Sequence, residues 1–194
     1  MPIAVIPLKA FHQGKERLSP ALGAGDREHL ARNTATRVLA ACVAAGLDPL
    51  VVTGDEAVAH LAQDSGAATL PDPGLGLDEA ASAGVATAGA GRWCLVHGDL
   101  PLVTPADMLL VTSSLTEGRP VLAPARDGGT NVIAGTGPFR FSHGPASFHR
   151  HLAAAGPTTR IVIRAGLTVE IDTPGDLVAA AQAEGGSWLE PYLR

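Results

Sequence analysis

Short apolar runs rich in β-branched residues alternate along this chain with longer stretches of helical period. That alternation constrains the fold more than any other feature. Residues 3–7 are short, apolar and β-branched, as a strand buried on both faces should be. Residues 26–45 read as a long helix, with Leu30, Ala31, Thr34, Val38, Leu39 and Cys42 on one stripe and Gly46 as its stop. The pattern recurs: a strand at 49–53, a short helix capped by Asp55 and ending at Gly66, and a weak strand at 67–70. A Pro/Gly loop at 71–78 leads into an alanine-rich helix, a strand at 93–97, a helix at 105–115 and a strand at 120–124. In the less regular second half, 131–135 and 167–171 read as strands, and 145–155 and 174–184 as helices. The order predicts an α/β fold, a three-layer sandwich with a mainly parallel, Rossmann-like sheet. At 194 residues the chain is expected to form a single domain, 1–194.

Charge narrows the function classes. The net charge is −5, which argues against a general nucleic-acid binder, and no run of about 18 apolar residues suggests a membrane span. Cys42 and Cys94 lie in apolar stretches without metal-ligand spacing, so both are expected to be reduced core residues of a cytoplasmic protein. Against this acidic background the only lysines, Lys9 and Lys15, fall in one segment beside Arg17, directly after the first strand. In open α/β sheets ligands bind beyond the carboxyl ends of strands, so the segment reads as a phosphate site.

Two strand-like runs end in acids, Asp99 and Asp172, and each is followed by Thr-Pro-x-Asp. Threonine at the N-cap, proline at N1 and an acid at N3 make Asp107 and Asp176 helix caps. Asp99 and Asp172 lie before the caps, where two converging carboxylates suit Mg²⁺. Gly128-Gly129-Thr130-Asn131 exposes backbone N–H groups and a hydroxyl, and Gly144-Pro145-Ala146-Ser147 opens a helix. The free donors of Gly144, Ala146 and Ser147 there are expected to bind an anion. His149 and His151, two apart on that helix, are expected to be exposed or simply packed. The tail around Trp188 and Tyr192 is expected to dock on the domain or on a second subunit of a homodimer.

These segments in their order resemble one family. They are Lys9…Lys15-x-Arg17-Leu18-Ser19-Pro20, Gly98-Asp99-Leu100-Pro101, Gly128-Gly129-Thr130-Asn131, Arg140-Phe141…Gly144-Pro145-x-Ser147-Phe148…His151 and Asp172-Thr173-Pro174-x-Asp176-Leu177. The family is the 2-phospho-L-lactate or phosphoenolpyruvate guanylyltransferases of coenzyme F-420 biosynthesis, and the resemblance runs nearly end to end. It implies a fold of the nucleotide-diphospho-sugar transferase type and transfer of GMP from GTP to the phosphate of a three-carbon acid, releasing pyrophosphate. It further implies Asp99 and Asp172 as Mg²⁺ ligands, Lys9, Lys15 and Arg17 as catalytic cations along the triphosphate, and Thr130, Gly144 and Ser147 as the acceptor site. The nucleotide half would be about residues 1–110 and the acceptor half about 111–194. Related enzymes making molybdopterin guanine dinucleotide carry Leu-Ala-Gly-Gly where this chain has Ile6-Pro7-Leu8-Lys9, which disfavours that branch. Relatives often have Gly-Leu-Asn where this chain has Gly76-Leu77-Asp78. If that position faces the base, Asp78 would accept from guanine N1–H and N2–H₂. The alternative is a related nucleotidyltransferase using CTP or another small phosphate such as 3-phosphoglycerate. A glycosyltransferase would normally offer Asp-x-Asp, and none occurs near Asp99.

Overall fold

The computed structural model describes residues 1–115 and 119–194. A seven-stranded mixed sheet forms the middle layer, in the order β3-β2-β1-β4-β6-β5-β7. The first half follows the expected alternation closely. It comprises β1 (Ile3–Pro7), α1 (Ala24–Ala44), β2 (Asp48–Thr53), α2 (Glu56–Asp64), β3 (Ala68–Pro71), α3 (Leu77–Ala86), β4 (Arg92–Val96) and α4 (Pro105–Ser114). The four strands pair in parallel, so their carboxyl ends share one edge of the sheet.

Alternate residues along each strand enter opposite layers. Ala4, Ile6, Val51, Cys94 and Val96 pack on one side against Val38, Leu39 and Cys42 of α1 and Met108 and Val111 of α4. Val5, Val52, Trp93 and Leu95 face the other side, against Ala80, Ala81 and Val85 of α3. The alanines let α3 lie close on the sheet, and Gly84 closer still. A Cβ there would overlap Val5 and come within 3.0 Å of Val52 Cγ2. Cys42 and Cys94 are buried free thiols, as expected, and burial above all pushes the Cys42 thiol up to about 12.

The second half departs from simple alternation. β5 (Val121–Pro124) is followed by β6 (Thr130–Thr136), which runs antiparallel to both β4 and β5. A tight turn reverses the chain, closed by Ala125 N–H on the Gly129 carbonyl (2.9 Å) with Gly128 at φ +89°. α5 (Ser147–Ala155), β7 (Arg160–Ile161), α6 (Ala165–Thr168) and α7 (Pro174–Gln182) complete the domain.

Two expectations need correction here. Residues 167–171 form no strand: the short β7 takes the sheet edge beside β5, and Leu167 enters the core from the α6 turn. Val169 and Ile171 satisfy their hydrophobicity instead in a third cluster with Leu18, Leu30, Leu177, Leu189 and Tyr192. The fifth helix starts at Ser147, because Ala146 adopts a left-handed conformation (φ +55°) that helical backbone excludes. The C-terminal tail docks on its own domain. Trp188 Nε1–H donates to the Pro101 carbonyl (3.2 Å), and Asn33 Nδ2–H donates to the Tyr192 hydroxyl (2.9 Å).

Candidate active site

Beyond Pro7 the chain folds back across the ends of β1 and β4. Two single turns of 3₁₀ helix, Phe11–Gln13 and Glu16–Leu18, flank Lys15, whose backbone is left-handed at φ +62°. A non-glycine residue in that region carries strain, which its tertiary contacts must outweigh. The contacts are ionic: Lys15 Nζ lies 2.8 Å from Asp99 Oδ2 and 3.2 Å from Asp172 Oδ1. Gly98 permits the approach, since a Cβ there would overlap Leu8 of the same loop.

The structure thus brings together Lys15, Asp99 and Asp172 from three distant segments. Burial pulls the Lys15 ammonium toward neutrality, but the two carboxylates outweigh it and hold its pKa above the ordinary lysine value. Burial likewise pushes Asp99 up, and Lys15 and His97 more than reverse that. Each acid is followed by a helix that starts in a capping box. Thr104 with Asp107 starts α4 and Thr173 with Asp176 starts α7, as expected for caps. Asp176 Oδ2 also accepts from the Asp172 N–H (3.3 Å), fixing the turn that presents Asp172. Asp107 has a further partner, Arg164 Nε at 3.1 Å.

Around this ion triad lies a cleft of about 320 Å³, lined by Lys9, Phe11, Lys15, Leu77, His97 and Asp99 among others. Lys15 links the three cations: it shares the cleft with Lys9 and an adjoining hollow with Arg17. Lys9 stands at the exposed rim toward Leu77, and Lys15 is central. Arg17 faces a neighbouring hollow with Arg126, Glu170 and Asp172.

The antiparallel β4–β6 pairing brings the start of β6 to the carboxyl end of β4. His97 N–H donates to the Asn131 carbonyl (3.0 Å), so β6 begins where β4 ends. Thr130 and Ser147 are both 2 % exposed, with their hydroxyls 3.4 Å apart. Gly144 is exposed at φ +110°. The expected set of free N–H donors at this helix start is reduced. Ser147 N–H goes to the Gly144 carbonyl (3.0 Å) and Phe148 N–H to the Gly128 carbonyl (3.1 Å). Asp78 pairs with His143, its Oδ1 accepting from His143 N–H (2.8 Å) and lying 2.6 Å from His143 Nδ1.

Four functional candidates escaped sequence reasoning: Glu170, Asn131, His143 and His151. Burial first, then Asp99, Asp127 and Asp172, pushes the Glu170 carboxyl up to about 8. Its carboxylate, Asp99 and His97 place ligand atoms within 4.8 Å of one another. His143 lies between His97 and His151, with ring centroids 5.4 and 4.9 Å away. His151 is fully buried and hydrogen-bonded at both nitrogens, more than simple packing. In the sequence it closes the Arg140…His151 run of the resemblance, one helical turn beyond Ser147. Asp99 Oδ1, His97 Nε2, His143 Nε2 and Asn131 Oδ1 are buried without a hydrogen-bond partner among the described residues. The oxygen donors of the site, Asp99 with its unpaired Oδ1, Asp172 and Glu170, fit Mg²⁺, which prefers hard carboxylate oxygens.

A parallel half-sheet with a loop of cations and acids at its carboxyl edge, joined to an antiparallel strand, defines a domain of the nucleotidyltransferase fold. Solved structures agree. A protein of Desulfovibrio desulfuricans named for the nucleotide-diphospho-sugar transferases superposes with a TM-score of 0.76 at 17% identity, covering 98% of this chain and 95% of that one. A nucleotidyl transferase from Methanothermobacter gives 0.65 at 17% identity over 92% and 95%. The model of the guanylyl transferase CofC-like family matches residues 2–194, and the chain belongs to that family. It is 38% identical to the phosphoenolpyruvate guanylyltransferase of Rubrobacter xylanophilus, covering 97% of each chain. It is 33% identical to the 2-phospho-L-lactate guanylyltransferase of Halomicrobium mukohataei, over 95% of this chain and 89% of that one. No helix among the described residues is long and apolar enough to cross a membrane.

Proposed function

We propose that this protein transfers GMP from GTP to the phosphate of phosphoenolpyruvate, in the chemistry of coenzyme F-420 biosynthesis. The observation that carries the reading is the Lys15 ammonium gripping both Asp99, beyond the end of β4, and Asp172, in the turn before α7, inside the cleft. Phosphoenolpyruvate is preferred as acceptor because the relatives at 38% and 36% identity, from Rubrobacter xylanophilus and Sphaerobacter thermophilus, carry that name.

In the proposed reaction an oxygen of the acceptor phosphate bonds to the α-phosphorus of GTP. The bond from that phosphorus to the bridging oxygen breaks, and pyrophosphate leaves with the electron pair. The acceptor is already an anion, so no side chain need remove a proton. The task is to bring two polyanions together, which calls for positioning and charge stabilisation. Lys9, Lys15 and Arg17 line the triphosphate and offset charge on the departing pyrophosphate. Asp99 and Asp172 would hold Mg²⁺, which would supply Lewis-acid polarisation of phosphate oxygen. Thr130, Ser147 and the Gly144 backbone hold the acceptor. Asp78, with Oδ1 engaged by His143, has Oδ2 left to accept from guanine.

The test is pyrophosphate release from each of the four common nucleoside triphosphates with phosphoenolpyruvate, 2-phospho-L-lactate and 3-phosphoglycerate. Turnover with GTP and phosphoenolpyruvate that is lost in Asp99→Asn and Asp172→Asn is the expected result. Turnover favouring CTP or 3-phosphoglycerate, or unimpaired variants, refutes it.

A further inference from the structure

Ser147 and His151 stand one helical turn apart on α5 and reach the same hydroxyl, that of Thr130. The bonds of His151 settle where its proton lies. Nε2 accepts from the backbone N–H of Ser142 (2.9 Å), so it carries a lone pair. A neutral imidazole has one N–H, which must then be on Nδ1. Nδ1 lies 2.9 Å from Thr130 Oγ1 and therefore donates to it. Burial foremost, with His143 beside it, pushes His151 down to about 4, so the ring is neutral near pH 7.

Thr130 and Ser147 bring two hydroxyl protons to a pair 3.4 Å apart. One serves the bond between them, and the other has no acceptor among the hydrogen bonds of the described residues. Both side chains are 2 % exposed, so this surplus donor cannot rely on bulk water. We infer that His151 is a positioning residue: by donating to Thr130, whose oxygen also accepts from Ser147, it leaves the Thr130 hydroxyl only its proton to offer, toward an anionic oxygen of the phosphorylated three-carbon acid. A ligand presenting a donor group to the Thr130 hydroxyl would meet only another donor. The inference rests on the guanylyltransferase reading and adds to it the side chain that sets the polarity of the acceptor site.

The experiment measures KM for phosphoenolpyruvate and for GTP, each with the other saturating, in His151→Phe, His151→Asn, Thr130→Val and the His151→Asn/Thr130→Val double variant. His151→Phe removes the donor and should raise the phosphoenolpyruvate KM about tenfold, leaving the GTP KM within about twofold. His151→Asn, whose Nδ2 reaches toward Thr130 much as Nδ1 does, should fall between wild type and Phe. In the Thr130→Val background, His151→Asn should change the phosphoenolpyruvate KM by less than about twofold, because the group it acts through is gone. Effects that add in the double variant, equal effects on both substrates, or an Asn variant no better than Phe overturn the inference. Should the Phe variant not fold, the Asn single and double variants carry the same decision. A wild-type protein that guanylylates none of the acids removes the functional reading as well. An active wild type with additive variants removes this inference alone.

Discussion

Lys15→Met tests the centre of the site without relying on turnover. The substitution keeps an unbranched side chain of similar length and deletes the one ammonium between Asp99 and Asp172, at 2.8 and 3.2 Å. Each charge-assisted hydrogen bond is worth about 1.5–3 kcal/mol in a dry setting. The Lys15 side chain is only 8 % exposed, but those of Asp99 and Asp172 are 30 % and 42 % exposed, so water screens part of the loss. A net cost of about 2–3 kcal/mol follows, since the carboxylates repel one another once the cation is gone. For a chain of this length that is a fall in Tm of about 5–10 °C. Calorimetric melting at fixed pH, with and without millimolar Mg²⁺ or Mn²⁺, reads the effect. The metal should raise the Tm of the variant more than that of the wild type, because Lys15 no longer competes for the same oxygens. A fall of less than about 2 °C would show that the ion triad holds nothing together. Equal metal shifts in the two proteins would show that the cation does not use these acids.

Thr130→Val and Ser147→Ala should each raise the KM for phosphoenolpyruvate about tenfold and leave that for GTP nearly unchanged, and a larger effect on GTP would reassign both hydroxyls. His151 makes stability depend on pH. Its folded pKa of about 4 lies below the ordinary 6.5, so between those values the unfolded chain holds more protons and stability falls as pH falls. At about 1.36 kcal/mol per pH unit the loss approaches about 3 kcal/mol at pH 4, an upper figure because the neighbouring His143, His97 and Asp78 titrate with it. Urea unfolding of His151→Phe should show a flatter slope over that window than wild type, and an identical slope would exclude this origin. Asp107→Ala should cost about 2–3 kcal/mol, because that 3 % exposed carboxylate serves both the cap and Arg164, whereas Asp176→Ala should cost about 1 kcal/mol for a more open cap. Equal midpoint shifts in urea would contradict the difference.

Periodicity and capping chemistry are local, and where local chemistry decides, the sequence alone was sufficient. The parallel strands from β1 to β4, the 21-residue α1 and both Thr-Pro-x-Asp helix starts were legible because each depends on neighbours within a few residues. The cation segment after β1 and Asp99 beyond β4 were legible for a related reason: in a parallel sheet, following a strand places a residue at the ligand-binding edge. Asp172 was read as ending a strand that does not form, and it reaches the site from the turn before α7 instead. Their convergence on one another was not, because Lys15 and Asp172 lie 157 residues apart. The reversal of β6 escaped periodicity, since direction leaves no mark on an alternating pattern. Yet that reversal carries Thr130 to the end of β4. Residues 167–171 show the opposite failure, a β-branched alternation that a third apolar cluster absorbed without any strand. Glu170 and His151 were visible only in three dimensions, one because burial among carboxylates makes it unusual, the other because its proton is placed by the Ser142 amide. Composition and order thus determined which chemistry was available. Strand direction and burial, which depend on long-range packing, decided which side chains were brought into contact to perform it.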